Sequence, residues 1–167
     1  MRIMGIDPGL QVTGWGVIAV TGNHLQYVAA GSLQSNPTDD DCDRLAFLYH
    51  GLDQAIEAHM PECCAVEEVF VSKNAATSLR LGQARGVALL VPARLRIPVF
   101  EYGNRTIKKA ISGSGRADKQ QMYRMVNILL PGAKPDTDHS TDALATAICH
   151  AHMHKTNNTY KLAGYGA

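Results

Sequence analysis

The order in which strand and helix patterns follow one another is the feature that most restricts the fold of this 167-residue chain. Three strand patterns, at residues 2–7, 14–20 and 25–33, precede any helical pattern, and the segments between them carry the turn residues Pro8-Gly9 and Thr21-Gly22-Asn23. Strands joined by short turns pair antiparallel. We therefore predict that the chain opens with a three-stranded antiparallel meander.

Helices and strands alternate in the rest of the chain. Apolar residues at helical spacing predict a helix that ends before Pro61, and Pro92 is expected to kink or end the helix in which it lies. The patterns in chain order are a helix at residues 45–59, a strand at 63–67 followed by apolar residues 69–71, a helix at 74–95, a strand at 97–102, and helices at 106–111, 117–130 and 138–154. Strands connected through helices pair in parallel, so we predict an α/β fold with a five-stranded mixed sheet flanked by helices.

The composition is that of a single globular domain. Hydrophobic residues make up 46% and charged residues 19% of the chain. We place the domain at residues 1–154 and expect a flexible, polar tail at residues 155–167. No apolar run approaches the ~20 residues that span a bilayer, and Asp7-Pro8 comes too early for the apolar core of a signal peptide. We therefore expect a cytoplasmic protein without membrane contact.

The cysteines lack the paired spacing of a metal site. We expect reduced, buried thiols at all four of them, which are Cys42, Cys63, Cys64 and Cys149.

Positive charge is concentrated in the middle of the chain, although the net charge is only +1. Residues 1–72 contain two basic and ten acidic side chains, whereas residues 73–124 contain eleven basic and two acidic ones. A basic surface beside an acidic site is typical of a protein that contacts phosphates and holds metal ions. Solvated helix faces explain the same charges about as well, so charge alone leaves both interpretations open.

Acidic residues stand at the ends of two predicted strands and in the first turn of the last helix. Asp7 closes the first strand, Glu67 closes the fourth, and Asp142 follows a helix start that Thr137 or Asp138 is expected to cap. Each acid alone also fits a turn, a solvated strand end or a helix dipole. If the two strands are neighbours, however, the three carboxylates meet at one edge. They could then hold the pair of divalent cations used in phosphodiester cleavage.

Several short motifs occur at a definite spacing along the chain. They are Gly5-Ile6-Asp7-Pro8-Gly9 with Thr13-Gly14-Trp15-Gly16, then Ala65-Val66-Glu67-Glu68-Val69-Phe70, Leu81-Gly82-Gln83-Ala84-Arg85-Gly86, Val99-Phe100-Glu101-Tyr102 and Asp142-Ala143-Leu144-Ala145. In this order, over residues 2–152, the chain resembles the RuvC family of Holliday junction resolvases, which are crossover junction endodeoxyribonucleases. The resemblance implies an RNase H-like fold and an enzyme of DNA recombination and repair that resolves Holliday junctions by paired, symmetric nicks.

The resemblance also implies a metal site. It assigns Asp7, Glu67 and Asp142 as ligands of two Mg²⁺ ions per active site, with Mn²⁺ as a substitute. Glu67 is preferred to Glu68 because the family's glutamate directly follows two apolar residues, here Ala65 and Val66.

A fourth family position, three residues before the last aspartate, is often Asp but is His139 in this chain. The change removes one negative charge, and imidazole is a poorer ligand for Mg²⁺ than for Mn²⁺. We expect His139 to be a catalytic ligand or a group that orients water, with Asp138 as the less favoured alternative.

DNA-binding residues follow from the same resemblance. Lys108 and Lys119 match phosphate-contacting lysines, Lys73 and Asn74 match a DNA-facing loop, and Phe70 matches an aromatic that engages unpaired bases at the crossover. For each, an ordinary solvated or core side chain stays open as the alternative. Further backbone contacts are possible at Arg105, Lys109 and Arg116.

The partners implied are four-way junction DNA, a second copy of the chain, and the RuvA and RuvB branch-migration proteins. Two like strands must be nicked, so a twofold homodimer suits the substrate. We expect the helix near residues 77–90 to form the dimer contact through Leu79, Leu81 and Val87, although it could equally serve only to cover the sheet.

Three alternatives remain open from the sequence. The first motif also resembles the phosphate loop of actin-like ATPases and sugar kinases, which need two such domains. A junction-binding protein without enzymatic activity would fit the loss of a carboxylate at His139. A zinc site is a third alternative, because two of three nearby histidines share a helix face; they are His150, His152 and His154.

Overall fold

A computed structural model describes residues 1–68 and 74–162, with side chains up to residue 154. The strands are β1 (Arg2–Asp7), β2 (Val12–Thr21), β3 (His24–Gln34), β4 (Cys63–Glu67) and β5 (Val99–Tyr102). The helices are α1 (Asp41–His59), α2 (Ala75–Arg94), α3 (Asn104–Ser112), α4 (Lys119–Leu129) and α5 (Asp138–Leu162). Each predicted helix and strand is therefore present, and the predicted apolar continuation at residues 69–71 lies outside the described residues.

The strands form one sheet in the order β3-β2-β1-β4-β5. The pairs β1–β2 and β2–β3 are antiparallel, as predicted for a meander. The pairs β1–β4 and β4–β5 are parallel, as predicted for strands joined through helices. Because Ile6 lies opposite Val66 and Glu67 lies opposite Tyr102, the carboxyl ends of β1, β4 and β5 share one edge of the sheet.

Helices cover both faces of the sheet, because its strands alternate side chains between two apolar cores. Met4 and Ile6 pack in the core that α1 and α2 cover. Ile3 and Ile18 pack in the other core, to which α3, α4 and α5 contribute. The chain thus forms a three-layered α/β domain, and α5 crosses the middle of one face.

Glycines in β1 and β2 allow α5 to lie unusually close to the sheet. A Cβ atom on Gly5 would collide with the backbone carbonyl of Ala143, and one on Gly14 would collide with the backbone of His139. Neither collision can be relieved by a side-chain rotation, since both involve helix backbone. The first turn of α5 is therefore brought against the end of β1.

Some element boundaries differ from the predicted ones. Helix α4 begins at Lys119 rather than at residue 117, because the Asp118 side chain caps it by accepting a hydrogen bond from Gln121 N at 2.8 Å. Helix α3 begins at Asn104, two residues before its predicted start. Pro92 lies in the final turn of α2, which ends at Arg94. Helix α5 continues to Leu162, beyond the predicted end near residue 154, so the position of the domain boundary stays a prediction.

The cysteines are free, as expected, but they are not all buried. Cys63, Cys64 and Cys149 lie in the interior, whereas Cys42 is exposed. The prediction of a buried thiol was wrong for Cys42 because this residue lies in the first turn of α1 on its solvent side. Within the described residues, no helix is both long and apolar enough to cross a membrane.

Candidate metal and catalytic site

Two carboxylates stand side by side where neighbouring parallel strands end. Asp7 is the last residue of β1 and Glu67 the last of β4, and each follows directly on the paired residues Ile6 and Val66. A tight turn follows Asp7, in which the Thr13 hydroxyl donates to Gly9 O at 2.7 Å. The sequence hypothesis required these two strands to be neighbours, and the register shows that they are.

The first turn of α5 brings the other predicted residues to the same edge. Thr137 caps the helix, because its hydroxyl accepts from Ser140 N at 3.1 Å while the Ser140 hydroxyl accepts from Thr137 N at 3.0 Å. This reciprocal pair fixes the helix start. It places His139 Nδ1 2.6 Å from Asp7 Oδ2.

His139 and Asp138 point in different directions. The Asp138 side chain is 74% exposed and pairs with Lys119 Nζ at 3.3 Å. Its neighbour His139 instead contacts Asp7, whose side chain is only 17% exposed. We call Asp7, Glu67 and Asp142 the acidic cluster. Of the two candidates for the fourth position, His139 is the one that the fold directs to this cluster.

The cluster carries more negative charge than its surroundings favour. Burial raises the pKa of Glu67 to about 7, and the charges of Asp7 and Asp142 add to the effect against an opposing hydrogen bond from Asn104. Burial and the charge of Asp7 likewise raise the pKa of Asp142 to about 6, although Lys119 and His139 oppose the rise. The hydrogen bond to Asp7 raises the pKa of His139 above its ordinary value. Three carboxylates therefore repel one another within a partly buried site.

This donor set has the chemistry of a site for hard divalent cations, which prefer several anionic oxygens. As they stand, no three His, Cys, Asp or Glu side chains among residues 1–68 and 74–162 form a group that could hold one ion. Asp7 is bonded to His139 through Oδ2 and Glu67 to Asn104 through Oε1, and since a carboxylate has about four acceptor positions, each keeps further positions for a cation. The mutual repulsion of Asp7, Glu67 and Asp142 nevertheless shows that they are electrostatic neighbours.

A cleft of about 570 Å³ opens on the cluster. Asp7, Glu67 and His139 line it together with Asn104 and Arg105. Asp142 lines a much smaller cavity beside it, together with Lys119. A substrate phosphate in the cleft would therefore meet two of the three carboxylates directly.

Comparison with known proteins identifies the family. Residues 3–150 match the family model described as "Crossover junction endodeoxyribonuclease RuvC". This chain belongs to the RuvC family. Proteins of that name from Mesorhizobium japonicum and Agrobacterium fabrum are 49% and 51% identical, over 98% and 91% of this chain and 96% and 89% of their own length. The solved structure of T. thermophilus RuvC in complex with Holliday junction substrate is 30% identical, covers 94% of this chain and 96% of its own, and superposes with a TM-score of 0.88.

Membership of the RuvC family confirms the predicted RNase H-like fold and implies dependence on a divalent metal ion. The predicted site residues remain interpretations of the geometry described above.

Both lysines predicted from the RuvC resemblance lie beside the acidic cluster. The charge of half-buried Lys108, on α3, acts on Glu67, and the charge of exposed Lys119, on α4, acts on Asp142 and His139. Neither forms part of the cleft of about 570 Å³. They approach it from two different helices.

The predicted DNA-facing loop is only partly described. Phe70 and Lys73 lie outside the described residues. Asn74 is exposed and caps α2, because its side chain accepts a hydrogen bond from Thr77 N. That contact is structural, so a role of Asn74 in DNA binding stays a prediction.

Asn104 is a residue of the cleft that the sequence interpretation missed. Its Nδ2 donates to Glu67 Oε1 at 2.7 Å. The sequence could have indicated its position, because Asn104 follows β5, which was predicted to be parallel to the first and fourth strands. The end of that strand belongs at the same edge as Asp7 and Glu67.

The histidines near the end of the chain do not support the zinc alternative. His150 is buried, with Nδ1 2.8 Å from the Tyr102 hydroxyl and Nε2 3.4 Å from Cys63 Sγ. His152 contacts Ala110 O. No group of three metal-binding side chains was found in the described part of the chain.

Proposed function

We propose that this protein is a structure-specific endonuclease that resolves Holliday junctions by metal-dependent phosphodiester hydrolysis, with Asp7, Glu67, His139 and Asp142 as its catalytic residues. The observation that supports the proposal is the convergence of β1, β4 and α5 at one sheet edge, where His139 contacts Asp7 and the charges of Asp7 and Asp142 act on Glu67. Membership of the RuvC family supplies the reaction class, and the T. thermophilus relative was solved with a Holliday junction substrate.

The chain's own residues prepare the phosphate for attack. Asp7, Glu67 and Asp142 provide the anionic oxygens, and a bound divalent ion would lower the pKa of water and stabilise the charge on the departing 3′ oxygen. His139 orients water or completes the ligand set, since its imidazole already contacts Asp7. The expected products carry a 5′ phosphate and a 3′ hydroxyl.

Mg²⁺ is the proposed cofactor, with two ions per active site and Mn²⁺ as a substitute. Carboxylate oxygens suit both ions, whereas the imidazole of His139 suits Mn²⁺ better than Mg²⁺. We therefore expect Mn²⁺ to support a higher rate than it does in a protein with a carboxylate at this position.

A basic cavity next to the cleft suits the DNA backbone. It has a volume of about 950 Å³, and Arg105, Lys109 and Arg116 line it. Arg105 also lines the acidic cleft, so the two cavities adjoin. We propose that a DNA strand passes from the basic cavity to the carboxylates, with Lys108 and Lys119 holding the phosphates beside the cut.

The exposed face of α2 is the proposed homodimer contact. Leu79 and Leu90 are 65% and 57% exposed on it. Gly82 and Gly86 lie between them, and a Cβ on either would meet nothing within 4 Å among the described residues. A helix glycine costs about 1 kcal/mol relative to alanine, and no contact in the described part of the chain requires either one. Close approach of a second helix would explain both glycines.

Two other residues predicted for this contact have additional neighbours. Val87 is partly buried and packs against the core beneath α2, and its role in the contact stays a prediction. Leu81 lines the acidic cleft, at the end of the face nearest the active site.

The proposed dimer contact can be tested by placing a large side chain in the open space beside one of the two α2 glycines. Gly86→Leu is expected to convert the dimer to a monomer in sedimentation experiments, because the new side chain would hold the partner helix away. Gln121→Leu, which adds the same side chain at an exposed position of α4, is the matched control and should stay dimeric. A Gly86→Leu protein that remains fully dimeric would exclude this face.

The decisive experiment for the activity compares an immobile four-way junction with a linear duplex. The native protein should nick the junction only with a divalent ion present. Asp7→Asn should reduce the nicking rate by at least about 1000-fold, the effect of losing several kcal/mol of transition-state stabilisation. Junction affinity should stay within about twofold, since the basic surface is unchanged. Junction binding without nicking by the native protein would instead favour the non-enzymatic alternative.

A cytoplasmic location and cooperation with the RuvA and RuvB proteins are further expectations. Both derive from the family resemblance. No surface of the described chain is assigned to either partner.

A further inference from the structure

The amide of Asn104 contacts one of the proposed metal ligands. Its Nδ2 lies 2.7 Å from Glu67 Oε1, within the short range of hydrogen bonds to carboxylates. Both residues line the cleft of about 570 Å³. Asn104 does not belong to the set of acidic and basic residues that the sequence motifs indicate.

Strand pairing determines where Asn104 lies. Glu67 is opposite Tyr102 in the parallel pair β4–β5, and Glu68 N donates to Tyr102 O at 2.9 Å just beyond it. The chain then passes through Gly103 and starts α3 at Asn104. Two residues after the end of β5, the side chain is therefore level with the carboxylate at the end of β4.

The Asn104 side chain is not needed to cap its helix. Gly103 is the cap residue of α3, and its carbonyl accepts from Thr106 N and Ile107 N. An asparagine in the first turn usually finds its use in such a cap. Here the amide is directed at Glu67 instead.

A neutral donor suits a carboxylate that must also bind a cation. A carboxylate has about four acceptor positions on its two oxygens. The amide occupies one of them on Oε1 and leaves Oε2 available. Unlike a lysine, it adds no positive charge that would compete with the cation.

We propose that Asn104 is a positioning residue, which holds the Glu67 carboxylate in the orientation that binds the divalent cation. The inference rests on the metal site proposed above. It assigns Asn104 no contact with the DNA and no part in proton transfer.

The test measures metal binding without DNA. Asn104→Leu keeps the approximate shape of the side chain and removes the donor, whereas Asn104→Gln keeps an amide. Mn²⁺ titrated into each full-length protein in a calorimeter should bind about 10-fold more weakly to Asn104→Leu, the size of effect found for partners that orient metal ligands. Asn104→Gln should recover part of the affinity. Asn127→Ala removes an amide that donates to Tyr123 O within α4, and should bind Mn²⁺ like the native protein.

Nicking measured against Mg²⁺ concentration provides a second readout. For Asn104→Leu the half-saturating concentration should rise, while the rate at saturating Mg²⁺ approaches the native rate. Junction affinity in EDTA and thermal stability should be unchanged. An unchanged Mn²⁺ affinity in Asn104→Leu would overturn the inference.

Glu67→Gln distinguishes this failure from a failure of the metal site itself. If Glu67→Gln weakens Mn²⁺ binding and Asn104→Leu does not, only the role of Asn104 is excluded. If Glu67→Gln also leaves Mn²⁺ binding unchanged, the metal site is wrong and the role of Asn104 is excluded with it.

Discussion

The imidazole of His139 occupies the position at which the RuvC resemblance led us to expect an aspartate. Its Nδ1 lies 2.6 Å from Asp7 Oδ2, and this bond raises the pKa of His139. Histidine contributes no negative charge when it is neutral, so the proposed site has three carboxylates rather than four. Metal preference is the property most directly affected by that difference.

Substitution of His139 should therefore change both the rate and the choice of metal. His139→Ala is expected to lower the nicking rate about 100-fold, the usual contribution of a group that positions or activates water. His139→Asp should retain activity and lower the ratio of the Mn²⁺ rate to the Mg²⁺ rate. Single-turnover nicking of a synthetic junction in each metal measures this ratio. A ratio identical in the native protein and His139→Asp would show that His139 does not contact the metal.

The raised pKa values of the carboxylates predict how stability depends on pH. For an acid with a higher pKa in the folded than in the unfolded protein, stability falls as pH rises between the two values. Glu67 moves from 4.5 to about 7 and Asp142 from 3.8 to about 6. The raised pKa of His139 acts in the same direction, because its contribution is lost as pH rises above 6.5.

Without divalent metal, the melting temperature should therefore fall as pH rises from 6.5 to 8, the range in which the lowered pKa of buried His150 no longer opposes the effect. Mg²⁺ should raise it more at pH 7.5 than at pH 5, since the ion neutralises charge that exists only at the higher pH. The double variant Glu67→Gln and Asp142→Asn should lose most of both effects, whereas Glu57→Gln, at an exposed position of α1, should keep them. Thermal unfolding followed by circular dichroism gives both quantities. An equal Mg²⁺ effect at the two pH values would contradict the assignment.

At the level of elements, the close packing of α5 on β1 and β2 positions His139 and Asp142 at the sheet edge where Asp7 lies. Gly14 is essential to this packing, because any side chain there would collide with the backbone of His139. The helix can respond only by moving away from the sheet edge at which Asp7 lies.

Gly14→Ala should reduce activity more than it reduces stability. We expect a loss of about 1–3 kcal/mol in the free energy of unfolding, as is usual for overpacking, and a fall in nicking even at temperatures where the protein is fully folded. Gly31→Ala is a matched control on β3, since the three atoms nearest to its Cβ would all belong to the Trp15 side chain rather than to helix backbone. It should lose stability and keep its nicking rate when folded. Urea unfolding and nicking of the same preparations test both.

The spacing of apolar residues and the order of the strand and helix patterns were sufficient to predict the sheet. Contacts between elements distant in the sequence could not be predicted from them. The antiparallel meander and the parallel pairing of the later strands followed from the alternation of patterns, whereas the adjacency of β1 and β4 was only a condition of the site hypothesis, which the structure meets. The start of α3 was missed because Gly103-Asn104 has no strong helical pattern, and the contact of Asn104 with Glu67 was missed with it. The exposure of Cys42 depends on which side of α1 packs against α2, and that cannot be read from residue type.

At the scale of the whole molecule, resolution of a junction requires both the charge distribution of each chain and the proposed twofold symmetry of the dimer. Each chain of the proposed dimer contributes one acidic cleft next to one basic cavity. Resolution of a four-way junction requires two nicks on like strands. If each nick needs its own cleft, both subunits of a dimer must be active during one binding event.

A heterodimer of native and Asp7→Asn subunits, isolated through two different affinity tags, tests this requirement. On a supercoiled plasmid with an extruded cruciform, two nicks in one binding event give linear DNA, and a single nick gives a relaxed circle. The native dimer with both tags should give linear DNA, whereas the heterodimer should accumulate relaxed circles, since one nick releases the supercoiling that maintains the cruciform. The heterodimer should still bind the junction like the native dimer, because Asp7 is outside the basic cavity. Linear product from the heterodimer at the native rate would mean that one cleft cuts both strands, and the twofold arrangement would then have no catalytic purpose.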